Sequence, residues 1–280
     1  MRFGILAHNL GKTTTEELAR RVGSYGLGFV QLALAKALTD IDSSLGRLSP
    51  GLANHVADIF ARENVRISVL GCYINPIDPD PEQRRLGIAR FKEHLRYARD
   101  FGASVVATET GTLRNYREVF PNHSEEAIWA LLRSAVEEMA EEAERWGVTL
   151  GLEASGTEVI HTPEQMHRML SEVRSANIGI VMDPVNLLNP GNIDNQHDVI
   201  RRSFELWGDR IVLTHVKDMD VTPDGKKQYV SLGKGRIDYP FFLRLLQEYK
   251  PFMNLSFEGG VEPAEIPDAI EFLKKASRSE

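Results

Sequence analysis

The chain has 280 residues, 42% of them apolar and 26% charged, with 22 glycines, 13 prolines and a formal net charge of −7. That is close to the roughly 250 residues of one α/β barrel, and the balance is that of a globular chain with a sizeable core, not of a disordered or low-complexity one. The acidic balance opposes non-specific binding to nucleic acid or an anionic membrane, and the single cysteine, Cys72, excludes an intrachain disulfide and a cysteine-built zinc site.

The chain starts Met1-Arg-Phe-Gly-Ile-Leu, without the long apolar stretch and small-residue cleavage site of a signal peptide, and no apolar run approaches the length of a bilayer span. The expectation is a cytoplasmic protein with no membrane and no nucleic-acid partner. A homo-oligomer is left open.

Taken in order, residues 3–8 read as a strand ending in His8, followed by a helix whose start, Thr14-Thr-Glu-Glu17, fits a capping box. Residues 29–34 read as strand two, and a helix over 51–63 follows Ser49-Pro50. Strand three is expected over 66–72, after which Asn75-Pro-Ile-Asp-Pro-Asp-Pro81 is too proline-rich for helix or central strand and should form a semi-rigid lip. Residues 82–101 have helical periodicity up to Gly102, and 104–109 give strand four, ending in Glu109.

A long amphipathic helix over 124–146 stops at Gly147; strand five follows, and Thr162-Pro163 opens a helix to about residue 176. Strand six ends in Asp183-Pro-Val-Asn186, a helix over 196–207 precedes strand seven, and residues 219–236 read as a long polar loop. Asp238 can cap a helix over 239–249, strand eight is 254–258, and a last helix starts near Pro263. Eight strands alternating with eight helices, with no linker-like shift in composition, predict an α/β chain folded as a single (β/α)8 TIM barrel domain over residues 1–280. A doubly wound open sheet is the alternative, but the turn after strand one, His8-Asn-Leu-Gly-Lys12, lacks its glycine-rich fingerprint.

Four strands of the second half end in a potential metal ligand: Val148-Thr-Leu-Gly-Leu-Glu153, Ile178-Gly-Ile-Val-Met-Asp183, Ile211-Val-Leu-Thr-His215 and Asn254-Leu-Ser-Phe-Glu258. Alone, each is unremarkable, since a terminal Asp can simply cap the next helix. At the carboxyl end of a closed barrel, however, Glu153, Asp183, His215 and Glu258 would converge on one place. Two Glu, one Asp and one His make an oxygen-rich set that suits one divalent metal ion: Mn²⁺, Mg²⁺, Co²⁺ or Zn²⁺.

These strand ends, with Asp183-Pro-Val-Asn-Leu, His215-Val-Lys-Asp and Leu232-Gly-Lys-Gly-Arg-Ile-Asp238, resemble the sugar-phosphate isomerase/epimerase superfamily with the xylose-isomerase-like TIM barrel. That group includes ketose 3-epimerases and inosose dehydratases and, further off, endonuclease IV-type nucleases. The resemblance implies that Glu153, Asp183, His215 and Glu258 hold the metal, often Mn²⁺, and that Glu153 and Glu258 also move the proton. Two positions depart from the pattern. Asn186 stands where many relatives have a His that contacts substrate or a second metal, and Val221 stands roughly where some epimerases place an Arg.

The expected activity is a metal-dependent isomerisation or epimerisation of a small sugar or polyol, in which a proton beside a carbonyl moves through a metal-stabilised enediolate. A metal-dependent dehydratase or lyase on a keto-inositol or oxidised sugar is the alternative, since the same enolate can expel a β-leaving group. A DNA-repair nuclease and a non-catalytic sugar-binding barrel rank below both. Lys217, two residues past His215, should face the pocket and hold an enolate or an anion, or else pair with Glu258 or Asp183. Asn186, His8, Glu109 and His161 are the remaining candidates to touch substrate. Asp218 is expected to have a structural role, and phosphate binding by Lys234-Gly-Arg236 ranks second to a tight turn into the next helix.

Overall fold

The computed structural model describes residues 1–278. The chain runs β1 (Arg2–Leu6), α1 (Thr15–Ser24), β2 (Phe29–Leu32), α2 (Leu34–Ala37), α3 (Pro50–Arg62), β3 (Arg66–Gly71), α4 (Pro81–Tyr97) and β4 (Val105–Glu109). It continues through α5 (Leu113–Val119), α6 (Glu125–Trp146), β5 (Thr149–Glu153), α7 (Pro163–Glu172), β6 (Ile178–Met182), α8 (Pro184–Leu187), α9 (Gln196–Trp207) and β7 (Ile211–Val216). Last come β8 (Asp218–Val221), β9 (Lys227–Val230), α10 (Tyr239–Tyr249), β10 (Asn254–Phe257) and α11 (Ile266–Ala276).

Strands β1 to β7 and β10 close into a barrel in the order β1-β10-β7-β6-β5-β4-β3-β2, with every pairing parallel. This is the (β/α)8 architecture that the alternation predicts. Helix starts are set by local chemistry. Ser49, Asp80, Ser124 and Asp238 each accept a backbone N–H of the first turn, and Thr162 and Gln165 form a complete capping box. At α1 the expected box is half made, because Thr14 accepts from the Glu17 N–H and no reciprocal bond forms.

Strand parity sorts the side chains into two cores. The larger one fills the layer between strands and helices. The smaller, built from Phe29, Val69, Val105, Ala107, Val181 and Leu213, plugs the inside of the barrel. Gly4 makes room for the plug, since a Cβ there would lie 2.5 Å from the Phe29 carbonyl oxygen and 2.6 Å from its ring. One step further along the same inner faces stand Gln31, Glu109, Glu153, Asp183 and His215, so a dry apolar floor underlies a polar mouth.

Several boundaries differ from the sequence reading. β1 stops at Leu6 and His8 sits in a 3-10 turn, β2 stops at Leu32, and α7 stops at Glu172. Asp183 and Glu258 lie one residue past their strands. Three short helices, α2, α5 and α8, occupy stretches where the sequence reading placed no helix.

The larger correction concerns residues 219–236. Instead of a plain loop they contain most of an antiparallel hairpin, β8 against β9, in which Asp218 pairs with Val230 and Val221 with Lys227. Its anchor is Asp218, whose buried carboxylate accepts the backbone N–H groups of Met219 (2.9 Å), Gly233 (3.0 Å), Gly235 (3.0 Å) and Ile237 (3.3 Å). The amides that a phosphate would need at Lys234-Gly-Arg236 are therefore already taken, Gly235 by the carboxylate, Lys234 by the Ser231 carbonyl and Arg236 by the Met219 carbonyl, and the Arg236 side chain is paired with Asp194. Lys227 ties the hairpin to α8 by donating to the carbonyls of Val185 (2.6 Å) and Leu188 (2.9 Å).

Gly235 is required by this cradle, because a Cβ there would lie 2.2 Å from Asp218 Oδ1 and 2.4 Å from the Met219 carbonyl oxygen. Gly235→Ala is expected to destabilise the protein by about 1–3 kcal/mol through overpacking. A urea titration of the variant with the wild-type midpoint would contradict this account of the turn.

Candidate metal centre

The mouth of the barrel gathers four side chains from four strand ends. Glu153 ends β5, Asp183 follows β6, His215 lies in β7 and Glu258 follows β10, whose sheet continues by one bond from the Glu258 N–H to the Val216 carbonyl. One ligand atom from each lies within 4.8 Å of all the others. His215 is fully buried, Asp183 and Glu153 are 2% and 4% exposed, and the Glu258 side chain is 23% exposed.

His215 Nδ1 points into the group, 3.0 Å from both Glu153 Oε1 and Glu258 Oε2. Lys217, two residues on and so on the same face, sets its ammonium 2.9 Å from Asp183 Oδ2 and 3.1 Å from Glu258 Oε2. It is 5% exposed. Its backbone is pinned by the buried Tyr239 hydroxyl, which donates to the Lys217 carbonyl at 2.6 Å. Asp183 divides its work. Oδ1 caps α8 by accepting the Val185 and Asn186 N–H groups at 2.8 and 3.3 Å, while the buried Oδ2 faces the Lys217 ammonium. The capping role of this Asp and the side it turns to the other three residues thus fall on different oxygens.

Three carboxylates this close and this dry raise one another's cost of ionisation. Burial pushes Glu153 up to about 7 against the opposing pull of His215, and burial also raises Asp183. At Glu258 burial works the same way, but His215 and Lys217 outweigh it and hold the carboxyl well below its usual range. Burial alone would keep His215 neutral; Glu153 and Glu258 reverse this and lift its pKa well above the ordinary value. Lys217 is likewise held charged, its burial overcome by Asp183 and Glu258. The set is oxygen-rich, carries one imidazole and turns one atom from each of its four members towards the others, which fits a divalent cation.

The other residues singled out from the sequence divide into those at this mouth and those beside it. Asn186 donates its amide to Glu153 Oε1 at 2.8 Å, so it orients a carboxylate of the group. His8 stands edge-on to Tyr73 with ring centroids 6.0 Å apart, and its Nδ1 is buried without a hydrogen-bond partner among the described residues. Burial first, and the Lys36 charge second, lower its pKa to about 4, so it is neutral. Glu109 sits opposite Glu153 in the β4–β5 register and reaches solvent. His161 lies apart, lining a cleft with Trp129, Gln165 and Arg168 and meeting the Glu158 carbonyl through Nδ1.

Three groups at or near the centre escape the sequence reading. Gln31 in β2 lies behind His215, its Oε1 2.8 Å from His215 Nε2. Tyr73 follows β3 and accepts from the Gln31 amide at 3.0 Å. Glu158, in the loop after β5, is 5% exposed; Thr112 donates to one of its oxygens at 3.1 Å and the other is buried without a hydrogen-bond partner among the described residues. Burial, then the charge of Glu109, raises its carboxyl to about 7. Gln31 was detectable as an amide at an inward position of an otherwise apolar strand. A lone Glu in a Ser-Gly-Thr loop offered no signal.

A family model described as a xylose isomerase-like TIM barrel matches residues 19–276. No curated protein matches the chain. Among solved structures, a D-tagatose 3-epimerase-like protein is 20% identical, covering 99% of this chain and 97% of its own, with a TM-score of 0.76. The IolI protein with a bound zinc atom is 19% identical over 99% of this chain and 96% of its own, with a TM-score of 0.71. The 3-keto-D-glucoside 4-epimerase YcjR from E. coli, in its apo form, is 15% identical over 98% of this chain and 99% of its own, with a TM-score of 0.74. At these identities the structures share the fold, and the family model spans nearly the whole barrel. The chain belongs to the xylose isomerase-like TIM barrel family.

Proposed function

We propose that this protein is a divalent-metal-dependent isomerase or epimerase that moves a proton beside the carbonyl of a small sugar or polyol. The observation that carries this reading is the convergence of Glu153, Asp183, His215 and Glu258 within 4.8 Å at the barrel mouth. Those four side chains would hold the ion, for which Mn²⁺ is our first choice and Mg²⁺, Co²⁺ and Zn²⁺ suit the same donors. The ion supplies Lewis-acid polarisation of a carbonyl and its neighbouring hydroxyl, which acidifies the C–H between them.

Glu153 and Glu258 serve as the proton-moving groups. They stand at the ends of β5 and β10 with β6 and β7 between them, so they approach a central substrate from different sides. Two bases on different sides are what exchange of configuration at one carbon requires. Asn186 steadies Glu153, and Lys217 places a positive charge where it can offset negative charge growing on a substrate oxygen. His8 and Glu109 would meet sugar hydroxyls at the mouth. The names of two related structures, a D-tagatose 3-epimerase-like protein and a 3-keto-D-glucoside 4-epimerase, support a sugar as the substrate class.

The direct test is incubation of metal-loaded protein with a panel of ketoses in D₂O. Deuterium at the carbon beside the carbonyl, with no other mass change, is the expected result. Loss of water would move the activity to the lyase class, and no exchange with any metal would overturn the proposal.

One divalent ion per chain is expected by elemental analysis after reloading, with Asp183→Ala and His215→Ala each lowering the metal content. Full occupancy in both variants would dissociate the ion from this site. Glu258→Gln is expected to keep the fold and much of the metal, because the amide is nearly isosteric and still offers an oxygen, while proton exchange falls by ~10²- to 10⁴-fold. Glu153→Gln should fail in the same way, each variant retaining exchange from one epimer only. Full exchange from both epimers in both variants, measured separately, would leave the two residues as ligands alone.

A further inference from the structure

His215 is held from behind as well as in front. Its Nδ1 faces Glu153 and Glu258, and its Nε2 lies 2.8 Å from Gln31 Oε1. Gln31 is 1% exposed and stands on the inner face of β2, one alternation above Phe29 of the apolar plug. An amide oxygen only accepts, so this contact places a hydrogen on Nε2 and leaves the Nδ1 lone pair for a cation. The reverse amide orientation would set an N–H donor against Nε2–H whenever the imidazole is charged between its two carboxylates.

The same amide has a second consequence. Its Nε2 donates to Tyr73 Oη at 3.0 Å, so that oxygen acts as an acceptor and keeps its own proton to give elsewhere. Among the described residues nothing accepts that proton. The ring stands at the mouth, with His8 edge-on at 6.0 Å and Lys36 Nζ 3.9 Å above its centroid. Gly71 makes its place, since a Cβ there would lie 2.9 Å from the ring.

We propose that Gln31 is a positioning residue that presents the Nδ1 lone pair of His215 to the metal and, through the same amide, turns the Tyr73 hydroxyl proton towards the substrate. The second half rests on the sugar-enzyme reading above; the first rests only on the metal centre.

The two halves separate in three variants measured three ways: Zn²⁺ affinity by chelator competition, exchange of the His215 Nε2–H proton by NMR in the zinc-loaded protein, and ketose binding by calorimetry. Gln31→Leu removes the acceptor, so Zn²⁺ affinity should fall ~10- to 100-fold and the Nε2–H proton should exchange rapidly with water. Gln31→Glu still accepts from Nε2–H, so it should keep both the affinity and the slow proton. Its added carboxylate oxygen also accepts from the Tyr73 hydroxyl and draws that proton out of the pocket. Gln31→Glu and Tyr73→Phe should therefore share a ketose affinity lowered by about tenfold, the value of roughly one hydrogen bond, while Tyr73→Phe keeps the wild-type Zn²⁺ affinity.

Gln31→Leu with wild-type affinity and a slow proton would overturn the positioning role. Gln31→Glu failing alongside Gln31→Leu would also overturn it, by showing that amide shape and not the acceptor matters. Unchanged ketose affinity in Tyr73→Phe would overturn the donor role. If no ketose binds the wild type, the substrate reading falls and Tyr73's part with it, while the zinc and NMR results still decide the role of Gln31.

Discussion

Three carboxylates facing one another out of water must be balanced by positive charge, and the rest of this structure is arranged around that need. Within the chain the balance comes from His215 in β7 and Lys217 one residue past that strand, which reach the group from the same face. Everything that fixes those two side chains follows from the same demand. The plug of Phe29, Val69, Ala107, Val181 and Leu213 keeps water from below. Tyr239 holds the Lys217 backbone, and the Asp218 cradle folds the following hairpin so that Lys227 can clamp α8 behind Asp183. A divalent cation at this place would take over the balancing role and free Lys217 for a substrate oxygen.

The fold was legible because parallel strands buried on both faces read as short apolar runs, and their alternation with helices leaves few architectures open. The convergence of Glu153, Asp183, His215 and Glu258 was legible for a related reason. Barrel closure turns a repeated feature of sequence, a polar residue at each strand's end, into one place in space. Lys217 could be aimed because strand side chains alternate, although its pairing with both Asp183 and Glu258 merges two readings that the sequence held apart.

What was not legible depends on partners distant in sequence. The hairpin after β7 has strands of only four residues each, too short for the Asp218-Met-Asp-Val alternation to stand out from a loop; it is held by one carboxylate accepting backbone amides up to 19 residues away. Asn186 could be read as turn-former or sugar ligand, whereas its partner is Glu153, 33 residues earlier. Asp218 has the structural role expected of it, in the hairpin turn, whereas the place behind His215 belongs to Gln31, 184 residues away and across the barrel. His161 follows a strand as the other candidates do, yet the loop after β5 carries it into a cleft with Trp129 of α6 and Arg168 of α7.

The central claim is that the charge balance at the mouth is designed for a cation. Anomalous diffraction from crystals soaked in Mn²⁺ tests it most directly. The account predicts one strong peak bounded by Glu153, Asp183, His215 and Glu258, with the Lys217 ammonium withdrawn from the carboxylates. No peak there, with Lys217 still seated between Asp183 and Glu258, would contradict it.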